Sequence, residues 1–137
     1  MNLRVSLSRI HHFSSAHRLH SPDLSDVANV DVYDKCNNPQ GHGHDYYVEV
    51  TITGKPDTDT GMIVPLEEMD QKIRNVLDQL DYKHLDKEVD FFKSHLSTGE
   101  VIIQYLWQEL DKQFPADMLH YLKLWETNNN YFELGKS

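Results

Sequence analysis

The sequence predicts an α+β fold in which a small antiparallel sheet carries helices on one face. Segments with alternating apolar and polar residues, typical of strands, lie near both ends of the chain. Between them lie two segments, 66–80 and 97–114, whose apolar residues recur at helical spacing. Paired strands with the helices grouped between them are typical of a sheet layered by helices.

The first half of the chain predicts two strands separated by a polar segment. Residues 2–14 begin with alternating apolar residues and predict the first strand. Residues 22–34 are polar and predict a loop with room for one helical turn. Residues 45–53 are rich in β-forming side chains and predict the second strand. Its even-numbered residues share one face, and His44 and His42 extend that face.

The middle of the chain predicts a turn at 55–61, a short extended piece at 62–64 and then a helix. The helix covers 66–80 and has a single apolar stripe, so we expect one face of it to be buried. Residues 82–96 follow no regular period and predict irregular structure.

The last third predicts a second helix and two strands. Residues 97–100 (STGE) match a capping box, in which a hydroxyl is followed three residues later by Glu. The helix that follows is expected to end near Phe114, before a proline. Residues 119–126 alternate again, and 131–134 predict a final short strand. Because a small sheet of this kind has exposed edge strands, we expect oligomerisation to cover them.

The bulk composition predicts one cytoplasmic domain spanning residues 1–137. No apolar run is long enough to span a membrane, and the start of the sequence lacks a signal pattern. The single cysteine cannot form an internal disulfide, which fits a reducing compartment. The formal net charge of −9 argues against a nucleic-acid or anionic-membrane partner.

Three histidines predict a metal site. His42 and His44 are two residues apart, so in an extended segment both imidazoles point to the same side. His17 lies at the end of the first predicted strand. Three imidazoles and one open position describe a catalytic zinc site rather than a structural one. A pair at this spacing is often merely solvated, and three other histidines near His17 compete for the third position.

Three other polar positions are candidates for chemistry. Cys36 lies in a polar Asn-Asn-Pro turn, where a nearby cation would lower its pKa, although a lone cysteine is often an inert packed residue. Asp81 and His84 follow the first helix, where a carboxylate could orient an imidazole or simply be solvated. Glu126 ends an apolar strand and is either an edge residue or an anchor for a guanidine-like group.

Several segments together resemble the 6-pyruvoyl tetrahydropterin synthase family. The most specific is the run from Lys35 to Pro39 (KCNNP) that leads into 41–44 (GHGH). The resemblance covers nearly the whole chain, and its other segments are 13–19, 59–62, 85–89, 97–100 and 125–129.

The resemblance implies a tunnelling fold, with a four-stranded antiparallel sheet and two helices on one face. It also implies that subunits join their sheets into an oligomeric barrel. Family members form homohexamers from two stacked trimers, with active sites at subunit interfaces. This agrees with the edge-strand argument above.

The resemblance also implies a reaction and a role for each candidate residue. The three histidines match zinc ligands, and Zn²⁺ is the only cofactor implied. Cys36 matches the proton-abstracting thiol, Glu126 the carboxylate that anchors the pterin, and Thr98 a contact to the pterin ring. The substrate would be 7,8-dihydroneopterin triphosphate. Loss of triphosphate, a lyase reaction, and internal proton shifts would give 6-pyruvoyl tetrahydropterin.

The sequence departs from the family pattern at two places. Where the family has a histidine directly after Asp81, this chain has Tyr82, and a histidine follows two residues later at His84. A phenol titrates near pH ~10 and an imidazole near ~6.5, so we expect His84, with Asp81, to serve as the proton relay. Gly99 stands where the family often has a second threonine, which predicts a looser pterin contact.

Two other functions remain open. 6-Carboxytetrahydropterin synthase, of deazapurine biosynthesis, shares the scaffold and substrate, but its members usually lack the Asn-Asn-Pro insertion at 37–39. A relative that makes a folate precursor tends to carry Glu in place of Cys36. The change at Tyr82 also allows a zinc- and pterin-binding homologue with impaired turnover.

Overall fold

The computed structural model describes residues 3–136, and a five-stranded sheet forms its centre. The sheet order is β3-β1-β2-β4-β5, with antiparallel pairing throughout except that β3 runs parallel to β1. The predicted number of four strands is therefore wrong, because a two-residue strand in the segment expected to be irregular joins the edge. The strands are β1 (Val5–His17), β2 (His42–Gly54), β3 (Lys83–His84), β4 (Leu119–Trp125) and β5 (Tyr131–Gly135).

Within residues 3–136, four helices accompany the sheet, where two were expected. The two long ones match the predicted helices. Of the short ones, Asp26–Tyr33 lies in the loop that was given room for one helical turn, and Leu85–Glu88 lies in the segment expected to be irregular. Asp34–Asn37 and Asp90–Lys93 form additional 3-10 turns. The helices are α1 (Asp26–Tyr33), α2 (Leu66–Leu77), α3 (Leu85–Glu88) and α4 (Gly99–Asp111).

The segment predicted as a polar loop contains α1, a helix that an N-terminal cap stabilises although it lacks an apolar stripe. The Ser25 hydroxyl accepts a hydrogen bond from the backbone N–H of Ala28 at 3.1 Å. Asp26 adds a negative charge to the first turn, where the helix dipole favours it. The helix has almost no apolar stripe, so periodicity could not reveal it. The piece at 62–64, expected to be extended, is not a strand.

The start of α4 differs by one residue from the predicted capping box. Thr98 is the N-cap and accepts from the N–H of Val101, whereas the Ser97 hydroxyl donates to Asp86 at 2.7 Å. A carboxylate outside the helix therefore engages Ser97. Strand β1 also continues three residues beyond the predicted end at Ser14, to His17.

The core lies between one face of the sheet and the two long helices. Met69 and Ile73 of α2 and Leu106 of α4 are fully buried against it. Burying each such side chain contributes roughly 1.5–3 kcal/mol to folding. Strand β2 contributes alternate residues that have no solvent exposure: Tyr46, Val48, Val50 and Ile52. The predicted alternation of β2 is thus present. His44 and His42 continue the buried face of the strand, beyond the last core residue, Tyr46. Among the described residues, no helix is both long and apolar enough to cross a membrane.

Candidate metal centre

The long β1–β2 ladder brings the three histidines together. Each residue from Val5 to His17 pairs with one of β2, and the register ends with His17 opposite His42 and Ser15 opposite His44. The two Nε2 atoms of His17 and His42 lie 3.1 Å apart. One ring nitrogen from each of the three histidines lies within 4.8 Å of those of the other two. Two tetrahedral ligands at typical Zn–N distances would be about 3.3 Å apart, which is close to the separation of His17 and His42, and three imidazoles are a suitable ligand set for zinc.

Burial favours the neutral form of two of the imidazoles, and a hydrogen bond fixes the tautomer of one of them. His17 is 1% exposed, and its Nδ1 donates to the carbonyl oxygen of Ser97 at 2.7 Å. That bond leaves the lone pair on Nε2, the atom that faces His42. Burial lowers the pKa of His17, against the opposing effect of the Ser97 bond, and burial also lowers the pKa of His42. Neutral imidazole is the form that binds a metal.

Two buried ring nitrogens of the cluster have no hydrogen-bond partner among the described residues. They are Nδ1 of His42 and Nε2 of His44. Leaving a buried polar atom unpaired costs about 1–3 kcal/mol, so natural proteins seldom do it without a reason. Coordination of an ion or contact with a ligand would satisfy these atoms.

Asp86 fixes the loop that orients His17. Its Oδ2 accepts the backbone N–H of Arg18 at 2.7 Å, and its Oδ1 accepts the Ser97 hydroxyl at 2.7 Å. The carboxylate therefore ties the end of β1 to the residue whose carbonyl binds His17. The sequence did not indicate this role, because Asp86 is an ordinary helix residue until its partners are known.

Cys36 lies in the wall of a cavity of about 910 Å³, here called the histidine cavity, which His42 and His44 also line. The 3-10 turn at Asp34–Asn37 places it, and the Cys36 carbonyl accepts the N–H of Leu19 at 2.8 Å. Burial raises the pKa of the thiol, and the carboxylates of Glu126 and Asp34 raise it further. The lowered pKa expected from neighbouring cations is therefore not produced by the protein's own groups.

Glu126 does not line the histidine cavity but lies near His44 in the wall of another one. It follows the end of β4, is half-buried, and accepts a 3.4 Å hydrogen bond from the Asn130 side chain. Its charge raises the pKa of the Cys36 thiol and opposes the lowering at His42. Glu126 lines a separate cavity of about 690 Å³, here called the Glu126 cavity, to which His44 also contributes. His44 thus belongs to the walls of both cavities.

Tyr46 is a buried group at the site that sequence reasoning missed. Its side chain has no solvent exposure, and its ring stacks on Phe13 at 4.8 Å between centroids. Its ring centroid lies 5.6 Å from that of His44, and its hydroxyl has no partner among residues 3–136. The strand alternation marked Tyr46 only as a core residue.

Comparison with known proteins assigns the chain to a family. Residues 6–137 match the model of the 6-pyruvoyl tetrahydropterin synthase family. The chain belongs to the 6-pyruvoyl tetrahydropterin synthase family. It is 41% identical over 128 residues to the 6-pyruvoyl tetrahydrobiopterin synthase of Homo sapiens, covering 93% of this chain and 88% of the relative. The corresponding protein of Poecilia reticulata is 45% identical over 125 residues, with coverages of 90% and 85%.

A solved structure of a family member has the same fold. The structure of Caenorhabditis elegans 6-pyruvoyl tetrahydropterin synthase superposes with a TM-score of 0.93 at 38% identity. The match covers 98% of this chain and 97% of that structure. The fold described above is therefore shared with this family member over nearly the whole of both chains.

Within this family member, the structure does not form the expected contact between Asp81 and His84. Asp81 accepts the backbone N–H of Ser14 at 2.8 Å and a guanidinium N–H of Arg74 at 3.1 Å. Both ring nitrogens of His84 are buried and unpaired among the described residues. Tyr82 has a positive φ of 59° and is 84% exposed. Asp81 is engaged because β1 presents a backbone donor directly beside the end of α2.

At Gly99, where the family resemblance leads us to expect a threonine, the chain packs against an aromatic ring. Thr98 caps α4, and Gly99 begins the helix against the ring of Phe132. A Cβ at position 99 would overlap a ring carbon of Phe132. The aromatic ring therefore occupies the space that a side chain at 99 would need.

Proposed function

We propose that this chain is a zinc-dependent 6-pyruvoyl tetrahydropterin synthase, a lyase that converts 7,8-dihydroneopterin triphosphate to 6-pyruvoyl tetrahydropterin and triphosphate. The observation that carries the proposal is the cluster of His17, His42 and His44, together with Cys36 and Glu126 in the walls of two cavities that His44 also lines. Family membership and the named relatives support the choice of substrate.

The three histidines would hold the zinc through their ring nitrogens. When bound there, zinc would supply Lewis-acid polarisation of a substrate oxygen. The protein's part is to keep the imidazoles neutral and oriented, which burial and the Ser97 carbonyl achieve for His17. No organic cofactor is needed for an elimination followed by proton shifts.

Glu126 is suited to bind the pterin ring. A carboxylate accepts two parallel N–H bonds from a planar, guanidine-like group, and the pterin ring carries such a group. The Asn130 side chain fixes one of its oxygens from the loop that follows β4. The Glu126 cavity is also lined by Trp125 and Tyr47, which offer apolar surface to a flat ring.

Cys36 is suited to exchange protons with the substrate side chain. Its thiol has a raised pKa, so the thiolate, once formed, is a stronger base although it is less populated at neutral pH. His84 and Asp81 as a proton relay, and Thr98 as a pterin contact, remain predictions. Asp81 acts within this chain as a structural acceptor.

We also propose the homohexamer and a cytoplasmic location. The short outer strands β3 and β5 are the two edges of the described sheet. The α1 helix exposes three apolar side chains: Val27, Val30 and Val32. A barrel of several copies would cover edges and apolar side chains of this kind. The free Cys36 fits a reducing compartment.

The test is incubation of zinc-loaded protein with 7,8-dihydroneopterin triphosphate, followed by mass spectrometry of the products. We expect a 6-pyruvoyl product with released triphosphate. Replacing Cys36→Ala should lower kcat by about 10²–10⁴-fold, because a general acid–base group is lost. Zinc content should remain unchanged, since the thiol is not among the three clustered ligands.

Other products would identify the alternatives. A 6-carboxy product with acetaldehyde would assign the chain to the deazapurine branch and contradict the proposal. Pterin binding without any product would leave a zinc- and pterin-binding homologue.

A further inference from the structure

A second cavity, of about 450 Å³, adjoins the histidine cavity, and six of its fourteen lining residues are basic. This concentration contrasts with a chain whose formal net charge is −9. Only Asp23 and Asp86 are acidic among its lining residues. We call it the basic cavity, and its basic lining residues are Arg18, His20, His84, Lys87, Lys93 and His95.

The two carboxylates that line the basic cavity, Asp23 and Asp86, form no ion pair with its cations among the described residues. Both oxygens of Asp86 already accept hydrogen bonds, from the Arg18 backbone N–H and the Ser97 hydroxyl. Lys93 pairs with Asp90 at 3.0 Å, but both side chains are exposed, and such surface pairs contribute little. Lys87 has no ion pair among the described residues.

The Arg18 side chain is fixed in place while most of its donors remain available. Its Nε donates to the carbonyl oxygen of Asn37 at 3.1 Å, which orients the guanidinium plane. Its terminal nitrogens donate to no acceptor within residues 3–136. An oriented guanidinium with free N–H groups is well suited to bind phosphate oxygens in a bidentate way.

His84 is a second, independent sign of a ligand in the basic cavity. Both of its ring nitrogens are buried without a partner in the part of the chain that the structure describes. The ring packs closely on the chain, since a Cβ at Gly41 would lie 2.9 Å from its Nε2. An anionic oxygen would accept a hydrogen bond from this imidazole and remove the cost of leaving it unpaired.

The position of the basic cavity relates it to the proposed reaction. Arg18, His20 and Pro39 line both this cavity and the histidine cavity, so the two cavities are neighbours. The Glu126 cavity meets the histidine cavity at His44. A molecule with its ring at Glu126 and its reacting carbons at the histidines could therefore extend a chain of phosphates past Arg18.

We propose that the basic cavity binds the triphosphate of the substrate, through Arg18, Lys87 and His84. The identity of the substrate rests on the proposed function, whereas the polyphosphate chemistry rests on the cavity. The site would hold the leaving group in place while the side chain reacts.

The test is calorimetric titration of the zinc-loaded protein with inorganic tripolyphosphate. We expect Arg18→Gln and Lys87→Gln each to raise its Kd about 10-fold or more, as loss of a charge-assisted bond predicts. The matched control is Lys112→Gln, because Lys112 is an exposed lysine that pairs with Glu109 at the end of α4. Binding of tripolyphosphate to the metal itself would be insensitive to Lys87, and zinc content is measured for every variant.

A second readout separates the substrate from free polyphosphate. In each of the two variants, the KM for 7,8-dihydroneopterin triphosphate should rise by the same factor as the Kd for tripolyphosphate. The Kd of unphosphorylated 7,8-dihydroneopterin should stay constant. Unchanged tripolyphosphate affinity and KM in an active enzyme would refute the basic cavity and leave the proposed function intact.

Two mixed outcomes are also decisive. Weaker tripolyphosphate binding with an unchanged KM would show that the cavity takes free polyphosphate, and would overturn its assignment to the substrate. Weaker tripolyphosphate binding in a protein without turnover would refute the proposed function but support the anion site.

Discussion

Two polar regions flank the end of β1: the histidine cluster on the side of β2, and the segment with Asp81 and His84 on the side of β3. The sheet holds these two regions in different ways. Ser15 pairs on one side with His44 of β2 and on the other with Lys83 of β3. The β2 side belongs to a ladder that runs the full length of β1, whereas the β3 side is a parallel pair of two residues. The first region is therefore a cluster of candidate metal ligands held by a long ladder. The second is a sheet edge, where Asp81 accepts the backbone N–H of Ser14 in β1.

The largest effect should follow from removing one histidine of the cluster. We expect His42→Ala to weaken zinc binding by more than the ~10–100-fold typical of losing an outer partner, because a ligand itself is removed. Turnover should fall to background. His120→Ala is the control, since His120 is exposed on β4. Zinc content and activity measured together would contradict the site if the His42 variant retained full zinc.

A smaller effect, on stability, should follow from removing Asp81. Asp81→Ala deletes the acceptor for Ser14 and for Arg74 at a side chain that is 17% exposed. We expect the free energy of unfolding to fall by about 1–3 kcal/mol. Asp78→Ala is the matched control, because Asp78 shares Arg74 but is 63% exposed, and it should lose under about 1 kcal/mol.

Denaturant unfolding and kinetics together decide between the two roles of Asp81. A structural role predicts lower stability with kcat retained at temperatures where the variant is folded. Lost kcat at unchanged stability would instead establish Asp81 as part of the proton relay.

The smallest difference between a variant and its control should appear at Gly41, where the two regions touch. Gly41 has φ of 79°, and a Cβ there would lie 2.9 Å from His84 Nε2 and 3.1 Å from the His17 carbonyl oxygen. Gly61 has φ of 73° with nothing near its Cβ, so Gly61→Ala measures the conformational cost alone, about 1 kcal/mol. Gly41→Ala should destabilise by about 1 kcal/mol more. Equal losses in thermal unfolding would mean that His84 moves aside freely.

The same contrast explains how far the sequence could predict this protein. Side chains alternate between the two faces of β2, and His42 and His44 are two residues apart, so periodicity alone was enough to predict that both lie on one face. The choice of His17 depended on family resemblance, since its neighbours in sequence offered the same side chain. The partners of Asp81 lie on β1 and α2, and their convergence depends on tertiary packing, which no local pattern encodes. The sequence allowed only one helical turn where α1 has eight residues, because a cap at Ser25 and not an apolar stripe defines this helix.

The register of β1 and β2 gives metal binding a mechanical consequence. His17 and His42 are partners at the last rung of the ladder, and the whole segment 18–41 emerges between them. An ion bound to both histidines would link the two ends of that segment, which contains α1 and Cys36. Closing a loop at its base reduces the conformations open to the chain within it. Zinc should therefore protect the backbone of 18–41 from proteolytic cleavage even when no substrate is bound.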